Sequence, residues 1–476
     1  MDQKKLFIQT IGCQMNVYDS ERIARIMVPM NYETTTAIES ADLIIVNTCA
    51  IRQKAEQKVF SFLGRLARLK QKKPQLIIGV GGCVAQQEGE KILERVPFID
   101  VVFGTHAIGR LAGMIKRVEK KRCHLVDVEA AAEIDAFETL QDFRNDGKIT
   151  SFVTIMQGCD NYCTYCVVPY VRGAEASRHP DKIIREIKDL VACGVREVTL
   201  LGQNVNSYGQ KEGHCSFPQL LTRISAIPGL IRIRFTTSHP KDLSTDLSQA
   251  FRDLDKLCKH IHLPVQSGSD RVLKRMNRKY NRERYLAKID ELRRFCPEIA
   301  ITSDFIVGFP GEADQDFEQT LDLIQKVGYD SLFAFKYSDR PSAPAARFSD
   351  KITEEEKNKR LKILLELQDE ITVKKHKVLV GTTQEILVEG LSKKQTPMDS
   401  PNPGQDSGRQ QWSGRTSTNR IVNFEQEQTS QTHNRNFTGR LVQVKIKKAH
   451  AHSLWGTLVR IEPQSITLKG DHSYAA

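Results

Sequence analysis

SFVTIMQGCDNYCTYCVVPYVRG, residues 151–173, runs from an apolar strand-like stretch at Phe152–Met156 into Cys159, Cys163 and Cys166, spaced C-x3-C-x2-C. The chain has eleven cysteines, and in a cytosolic protein clustered thiols point to metal or catalysis rather than disulfides. Three thiolates this close can hold three irons of a 4Fe–4S cube and leave the fourth without a protein ligand. Zinc is the alternative, but structural zinc asks for four protein ligands, and no fourth Cys or His follows closely.

Downstream of these cysteines a regular rhythm sets in. Apolar runs recur at Glu197–Leu201, Ile231–Thr236, Ile261–Val265, Ile301–Val307 and Leu332–Phe335. Helical patterns separate them, as at Pro180–Ala192, Thr245–Leu257, Arg282–Phe295 and Glu312–Lys326. With Phe152–Met156 this makes six β units, which predicts a partial (βα)6 barrel, short of the eight that close a TIM barrel. The cysteines then fall at a strand–loop edge of that barrel.

Upstream, Leu6–Ile11, Leu43–Asn47, Leu76–Val80 and Val101–Phe103 read as strands. Helical spacing near Asp19–Met30, Arg52–Leu69, Gln86–Arg95 and Ala107–Val118 predicts a parallel sheet covered by helices, so the overall class is α/β. Cys13, Cys49 and Cys83, in TIGCQMN, VNTCAIR and GGCVAQ, each follow a strand and precede a helix. All strand C-termini of a parallel sheet share one edge, so these thiols are expected to converge there. Helix N-termini at that edge favour thiolates. Each cysteine alone could equally be a small buried hydrophobe. Cys123, Cys193, Cys215, Cys258 and Cys296 show no pattern and read as structural.

Residues 352–376 read as a long charged helix. A small β domain is expected after it, with strands such as Glu385–Val388 and Leu441–Ile446 and polar loops at Pro397–Ser413 and Glu425–Asn436. The expected division is 1–122, a linker 123–144 including acidic Val126–Glu138, a barrel 145–376, a β domain 377–463 and a tail 464–476. The 476 residues carry a net charge of +12, with 15 Lys/Arg against 8 Asp/Glu from Lys374 onward. Such a surplus suits a polyanion, although a solvated basic surface is the plain alternative. Hydrophobic content of 40% and charged content of 27% are ordinary for a soluble domain. With no apolar run of about 20 residues and no signal-like start, the expected location is the cytoplasm, with no membrane partner.

The C-x3-C-x2-C spacing, with aromatic Tyr165 before the last cysteine, resembles the signature of radical S-adenosylmethionine (SAM) enzymes. The order of a three-cysteine domain, such a barrel and a basic β domain resembles the methylthiotransferases, whose last unit is an RNA-binding TRAM domain. GCQMNVYDSER at Gly12–Arg22, VVPYVRGAEASR at Val167–Arg178 and LPVQSGSDRVLKRMNRKY at Leu263–Tyr280 carry the likeness. A sister branch acting on a ribosomal protein aspartate usually reads GCxKN and QHAS there, and one acting on threonylcarbamoyladenosine more often GCKVN. Gln14-Met15-Asn16 and Gln266-Ser267-Gly268 favour the branch that modifies C2 of N6-dimethylallyladenosine at position 37 of tRNA. YSDRPSAPAA at Tyr337–Ala346 departs modestly from the usual YSPRPGTPAA, and extra polar residues lie around Thr396–Gln411 and Glu427–Asn436.

The resemblance implies two 4Fe–4S clusters, on Cys13, Cys49, Cys83 and on Cys159, Cys163, Cys166, together with SAM. One SAM methylates a sulfur species and another is cleaved to attack adenine C2. It also implies tRNA, a reductant protein and a sulfur donor as partners, with a monomer one option for the assembly. Gly202, Gln203 and Asn204 in LLGQNVNSYG are candidates for SAM contacts, and Gln266, Ser267 and Asp304 for ribose or substrate contacts; each has a turn role as its alternative. His239 in TTSHP reads as a packed loop residue. Arg415, Arg420, Arg440, Lys445, Lys447 and Lys448 are candidates for phosphate contacts, while Trp412 and Trp455 could stack on a base or fill a core. Two rival readings are modification of a ribosomal protein and a non-catalytic metal-stabilised RNA-binding protein.

Overall fold

The computed structural model describes residues 3–50, 53–129, 147–392, 410–426 and 436–462. The first unit is a parallel sheet of β1 Lys4–Ile11, β2 Tyr32–Thr34, β3 Leu43–Thr48, β4 Ile77–Gly82, β5 Val101–Phe103 and β6 Leu125–Asp127, in the order 2-1-3-4-5-6. β3 and β4 are buried along their whole length. Apolar clusters cover both faces, one around Ile23, Ile45 and Phe103, the other around Val46, Leu63 and Ile78. Strands sandwiched in this way read as continuous apolar runs, which is why the sequence betrays them. Helices α1 Gln14–Met27, α2 Gln53–Lys72, α3 Cys83–Glu88, α4 Lys91–Arg95 and α5 Leu111–Lys120 follow the strands.

Three details differ from expectation. α1 starts five residues before the expected Asp19, because Cys13 takes the cap position directly at the strand end. The single helix expected over Gln86–Arg95 is two, broken at Gly89 with φ +51°. The linker expected to begin at 123 starts as sheet, since β6 pairs with β5 through Val101–Leu125 and Phe103–Asp127. Short edge strands such as β2 and β6 leave too few residues for any periodicity to register. Residues 130–146, most of that linker, lie outside the described residues, as do 393–409, 427–435 and the tail.

The second unit is the partial (βα)6 barrel. β7 Thr150–Thr154 is followed by a short antiparallel pair, β8 Met156–Gln157 and β9 Ala176–Ser177. β10 Glu197–Leu201, β11 Arg232–Phe235, β12 His260–His262, β13 Ala300–Val307 and β14 Ser331–Lys336 complete it. Hydrogen bonds group these into two parallel halves, 11-10-7 and 12-13-14, which the bridge between Ile233 and Leu257 and the contact of β11 with β12 bring together. Helices α6 Val168–Val171, α7 Pro180–Ala192, α8 Phe217–Ser225, α9 Thr245–Asp253, α10 Asp270–Arg275, α11 Arg282–Phe295 and α12 Asp314–Val327 intervene. α8 and α10 go beyond the expectation, although the Ser216–Gln219 capping box and the Ser269 cap are visible in sequence. The core between sheet and helices includes Ile187, Leu200, Phe235, Ile261 and Phe305.

α13 Glu354–Lys377 opens on three glutamates and closes on Lys374, Lys375, His376 and Lys377, a charge order matched to the helix dipole. β15 Thr383–Leu391, β16 Gln411–Thr416, β17 Ile421–Glu425, β18 Leu441–Ala449 and β19 Leu454–Ile461 then close a small barrel around Ile386, Phe424, Val444 and Trp412. Gln411–Ser413, expected as the end of a loop, are strand, because Trp412 points into that core. The small barrel docks at the starting ends of the larger barrel's strands. There Arg234 pairs with Glu197 at 2.9 Å and donates to the carbonyls of Thr416 and Ser417, while the Lys259 N–H donates to Ser417 Oγ.

Candidate functional site

β1, β3 and β4 are neighbours in register, with Ile11 opposite Thr48 and Thr48 opposite Gly82. Each chain turns within two residues of those positions, so Cys13, Cys49 and Cys83 emerge on one edge. Buried amide side chains lock the three turns together. Asn16 Nδ2 donates to Asn47 Oδ1 and to the Thr48 carbonyl at 3.0 and 2.9 Å, and Asn47 Nδ2 returns a bond to the Asn16 carbonyl. Thr48 Oγ1 donates to the Gly81 carbonyl at 2.6 Å. Only glycine fits at two of these turns: a Cβ on Gly12 would lie 2.5 Å from Cys49 Cβ, and one on Gly82 2.3 Å from the Thr48 carbonyl. Cys49 and Cys83 are buried, and Cys13 is half-buried.

A bond with the Cys49 thiol, with help from the Arg172 guanidinium and against burial, brings Cys13 down to about 6. Burial pushes Cys83 up, with Arg172 opposing. Arg172 itself is 4% exposed and pairs with Asp19 at 2.8 Å.

The second trio lies in the loop between β8 and α6. Gly158, with φ +79°, starts it, and a Cβ there would lie 2.0 Å from the Ala174 carbonyl. Gln203 Oε1 accepts from the Gly158 N–H at 2.5 Å. Two donors aim at sulfur: Asn161 Nδ2 at Cys159 Sγ and Arg278 Nη1 at Cys163 Sγ, each at 3.4 Å. Arg278 is 4% exposed and ties the loop to the barrel. Its other bonds run to Tyr165 OH at 3.2 Å, the Pro264 carbonyl at 2.6 Å and Tyr280 OH at 2.9 Å. Burial, with the Cys163 thiol beside it, pushes Cys166 up to about 12. A thiolate there needs a cation, which the iron of a cluster would supply. No three donors among the described residues lie close enough to share one ion; a cubane asks only one thiolate per iron. The donor sets fit such clusters at both trios.

The remaining candidate residues divide. Gly202 and Gln203 support the cysteine loop from beneath, and a Cβ on Gly202 would meet Met156 at 2.4 Å. Asn204 is saturated, bonding Ser207, Asp242 and the His239 N–H, so it braces two loops. Ser267 is buried against Thr320 and accepts from the Ser269 N–H. Gln266 sits at φ +77° beside Asp304, and the Asp304 carboxylate is partly open, 3.5 Å from His262 Nε2. Three buried polar atoms stand out without partners: His239 Nε2, on the residue expected to be packed, and Asn206 Oδ1 and Ser238 Oγ, which sequence reasoning did not single out. Burial, then Arg278 and Lys241, holds His239 down at about 2, so it is neutral. TTSHP did mark a strand end, but nothing local reveals which polar atoms stay unpaired.

Glu175, in the same region, is pushed up to about 7 by burial and then by Asp160 and Asp242, against a hydrogen bond with Ser207. Its ordinary value is 4.5, so the folded chain binds more protons there than the unfolded chain between 4.5 and about 7. Stability is therefore expected to fall as pH rises through that window. In Glu175→Gln the slope vanishes, so the variant gains on its parent between urea melts at about pH 5 and about pH 8.

Of the basic candidates, Arg415 pairs with Glu389 at 3.0 Å and Arg420 with Asp330 at 2.5 Å, the latter an anchor to the larger barrel. Arg440, Lys445, Lys447 and Lys448 are exposed, and Lys448 lies 5.9 Å above the Trp455 ring. Trp412 is core, edge-on to Phe437.

Residues 5–104 match the uncharacterized protein family UPF0004, and residues 153–324 match the radical SAM superfamily. A protein of Desulfosudis oleivorans named tRNA-2-methylthio-N(6)-dimethylallyladenosine synthase is 55% identical over 460 residues, 96% of this chain and 97% of its own. One of the same name from Syntrophus aciditrophicus is 50% identical over 96% of this chain and 95% of its own. Among solved structures, the radical SAM methyltransferase TsrM of Kitasatospora setae, with tryptophan and a SAM analogue bound, has a TM-score of 0.55 at 11% identity, covering 84% of this chain and 80% of that one. That likeness concerns the fold alone. No helix among the described residues is long and apolar enough to cross a membrane.

Proposed function

The chain belongs to the tRNA-2-methylthio-N(6)-dimethylallyladenosine synthase family, within the radical SAM superfamily, and on that premise we propose that it adds a methylthio group to C2 of N6-dimethylallyladenosine at position 37 of tRNA. Cys159, Cys163 and Cys166 hold the 4Fe–4S cluster that binds SAM, and Cys13, Cys49 and Cys83 hold a second. When bound, the first cluster supplies one-electron cleavage of SAM, the chemistry an unactivated C2–H requires. The observation that carries the reading is proximity: Cys83 shares an apolar cluster with Val167 and Val171, which directly follow the loop bearing the other trio.

The chain's own groups position these components. Asn161 and Arg278 donate to the ligand sulfurs and favour their charged form. Gln203 holds the loop's first turn, and Asn206, Ser238 and His239 offer unpaired polar atoms at the strand ends where SAM binds. Exposed Arg440, Lys445, Lys447 and Lys448 meet RNA phosphates, whereas Arg415 pairs with Glu389 inside its own barrel and Arg420 serves docking. A reductant protein and a sulfur donor complete the reaction. The units run 1–127, extended by β6, then 145–376 and 377–463.

The test is anaerobic incubation of the reconstituted enzyme with SAM, reductant, sulfide and tRNA carrying dimethylallyladenosine. The expected result is a methylthio mass gain on that nucleoside alone. A gain on ribosomal protein instead, or none on tRNA by enzyme with both clusters intact, would overturn the reading.

A further inference from the structure

Arg172 belongs to the barrel. It follows α6, six residues after Cys166, on the segment between β8 and β9 that also carries the second trio. Its side chain nevertheless reaches into the first unit, beside the first trio. It is 4% exposed, its Nη2 donates to Asp19 of α1 at 2.8 Å, and its positive charge acts on the Cys83 and Cys13 sulfurs. Residues of the first unit clamp the chain around it: Thr105 Oγ1 donates to the Val171 carbonyl at 2.7 Å, and His106 lies over Gly173.

A buried guanidinium is costly unless its donors and charge are matched. Asp19 is a single carboxylate bound through one nitrogen. The rest of the match is sulfur. A cubane on three thiolates carries net negative charge, and a planar, permanently charged fork beside it balances that charge without adding a competing ligand.

We infer that Arg172, although carried by the barrel segment that also bears the other cysteines, is the positioning residue of the first trio: its guanidinium supplies the countercharge for a cluster on Cys13, Cys49 and Cys83, so that this site is complete only with that barrel segment docked. This rests on the reading that the first trio holds a cluster. It makes each cluster's surroundings depend on the same short segment, with Arg278 holding one end and Arg172 the other.

The alternative is a salt bridge that merely docks the two units. The two roles separate by redox potential. In full-length chain carrying Cys159→Ala, Cys163→Ala and Cys166→Ala, all iron counted belongs to the first trio. Into that background go Arg172→Gln, Arg172→Met and Arg172→Lys. Iron and acid-labile sulfide are measured after anaerobic reconstitution, with the midpoint potential by EPR-monitored titration. The expected result is a more negative potential in both neutral variants, because the reduced cluster loses its countercharge. Cluster affinity is expected to fall roughly 10–100-fold, the usual effect of losing an outer-shell partner. Lysine is expected to restore most of the potential. Unchanged potential and iron in Arg172→Gln, or in Arg172→Met should the glutamine variant not fold, would overturn the inference. Equal loss in Lys and neutral variants, with potential unmoved, would assign Arg172 to docking alone and also overturn it. Absence of iron with Arg172 intact would overturn the two-cluster reading itself.

Discussion

Arg278→Met is expected to strip the Cys159–Cys163–Cys166 loop of its cluster and abolish SAM cleavage while iron at Cys13, Cys49 and Cys83 remains. Methionine keeps the apolar stem but none of the donors. Arg278 alone links the Cys163 sulfur, Tyr165 OH, Tyr280 OH and the Pro264 carbonyl. Removing it takes donors from buried acceptors and a cation from beside the cysteine loop, where burial already disfavours the charged form of Cys159 and Cys166. Cluster affinity should drop by roughly 10–100-fold and folding stability by on the order of 3 kcal/mol. Iron analysis and SAM-cleavage assays check the first, and denaturant unfolding the second. About half the parent's iron should survive. Full iron with normal cleavage would show that Arg278 is mere packing.

Cys49→Ala should do the reverse. Methylthio transfer is expected to fall by at least about 100-fold, since loss of a direct ligand exceeds the cost of losing an outer-shell partner. SAM cleavage without product should persist, because the loop around Cys159 shares no ligand with Cys49. Cys49 suits this test: it ends the central strand of the trio, and Ala50, like Cys83, shares an apolar cluster with Val167 and Val171. Deoxyadenosine formed without methylthio-nucleoside, quantified in one reaction, is the signature. Loss of both would mean that the first trio supports the barrel's chemistry rather than acting in its own right.

Much of this site is readable in one dimension. The C-x3-C-x2-C run needs no partner from elsewhere, since its three thiols share one loop. The parallel strands were legible because burial on both faces makes them continuous apolar runs. The first trio followed from a topological rule: a parallel sheet gathers its strand ends on one edge, whatever the distance along the chain. Elements too short for periodicity, such as Tyr32–Thr34 and Leu125–Asp127, escaped.

The sequence by itself determined the fold class, the two sets of three sulfur atoms and the family, because each rests on local spacing or on near-complete likeness along the chain. Only the tertiary structure decided what the arginines do. Arg172 reaches Asp19 across 153 positions, and Arg278 reaches Cys163 across 115. Arg420, read as a phosphate contact, instead anchors one barrel to another through Asp330. A long cationic side chain can serve solvent, phosphate, carboxylate or sulfur alike. Which it serves depends on where burial leaves an unmatched negative charge, and that exists only once distant segments have packed together.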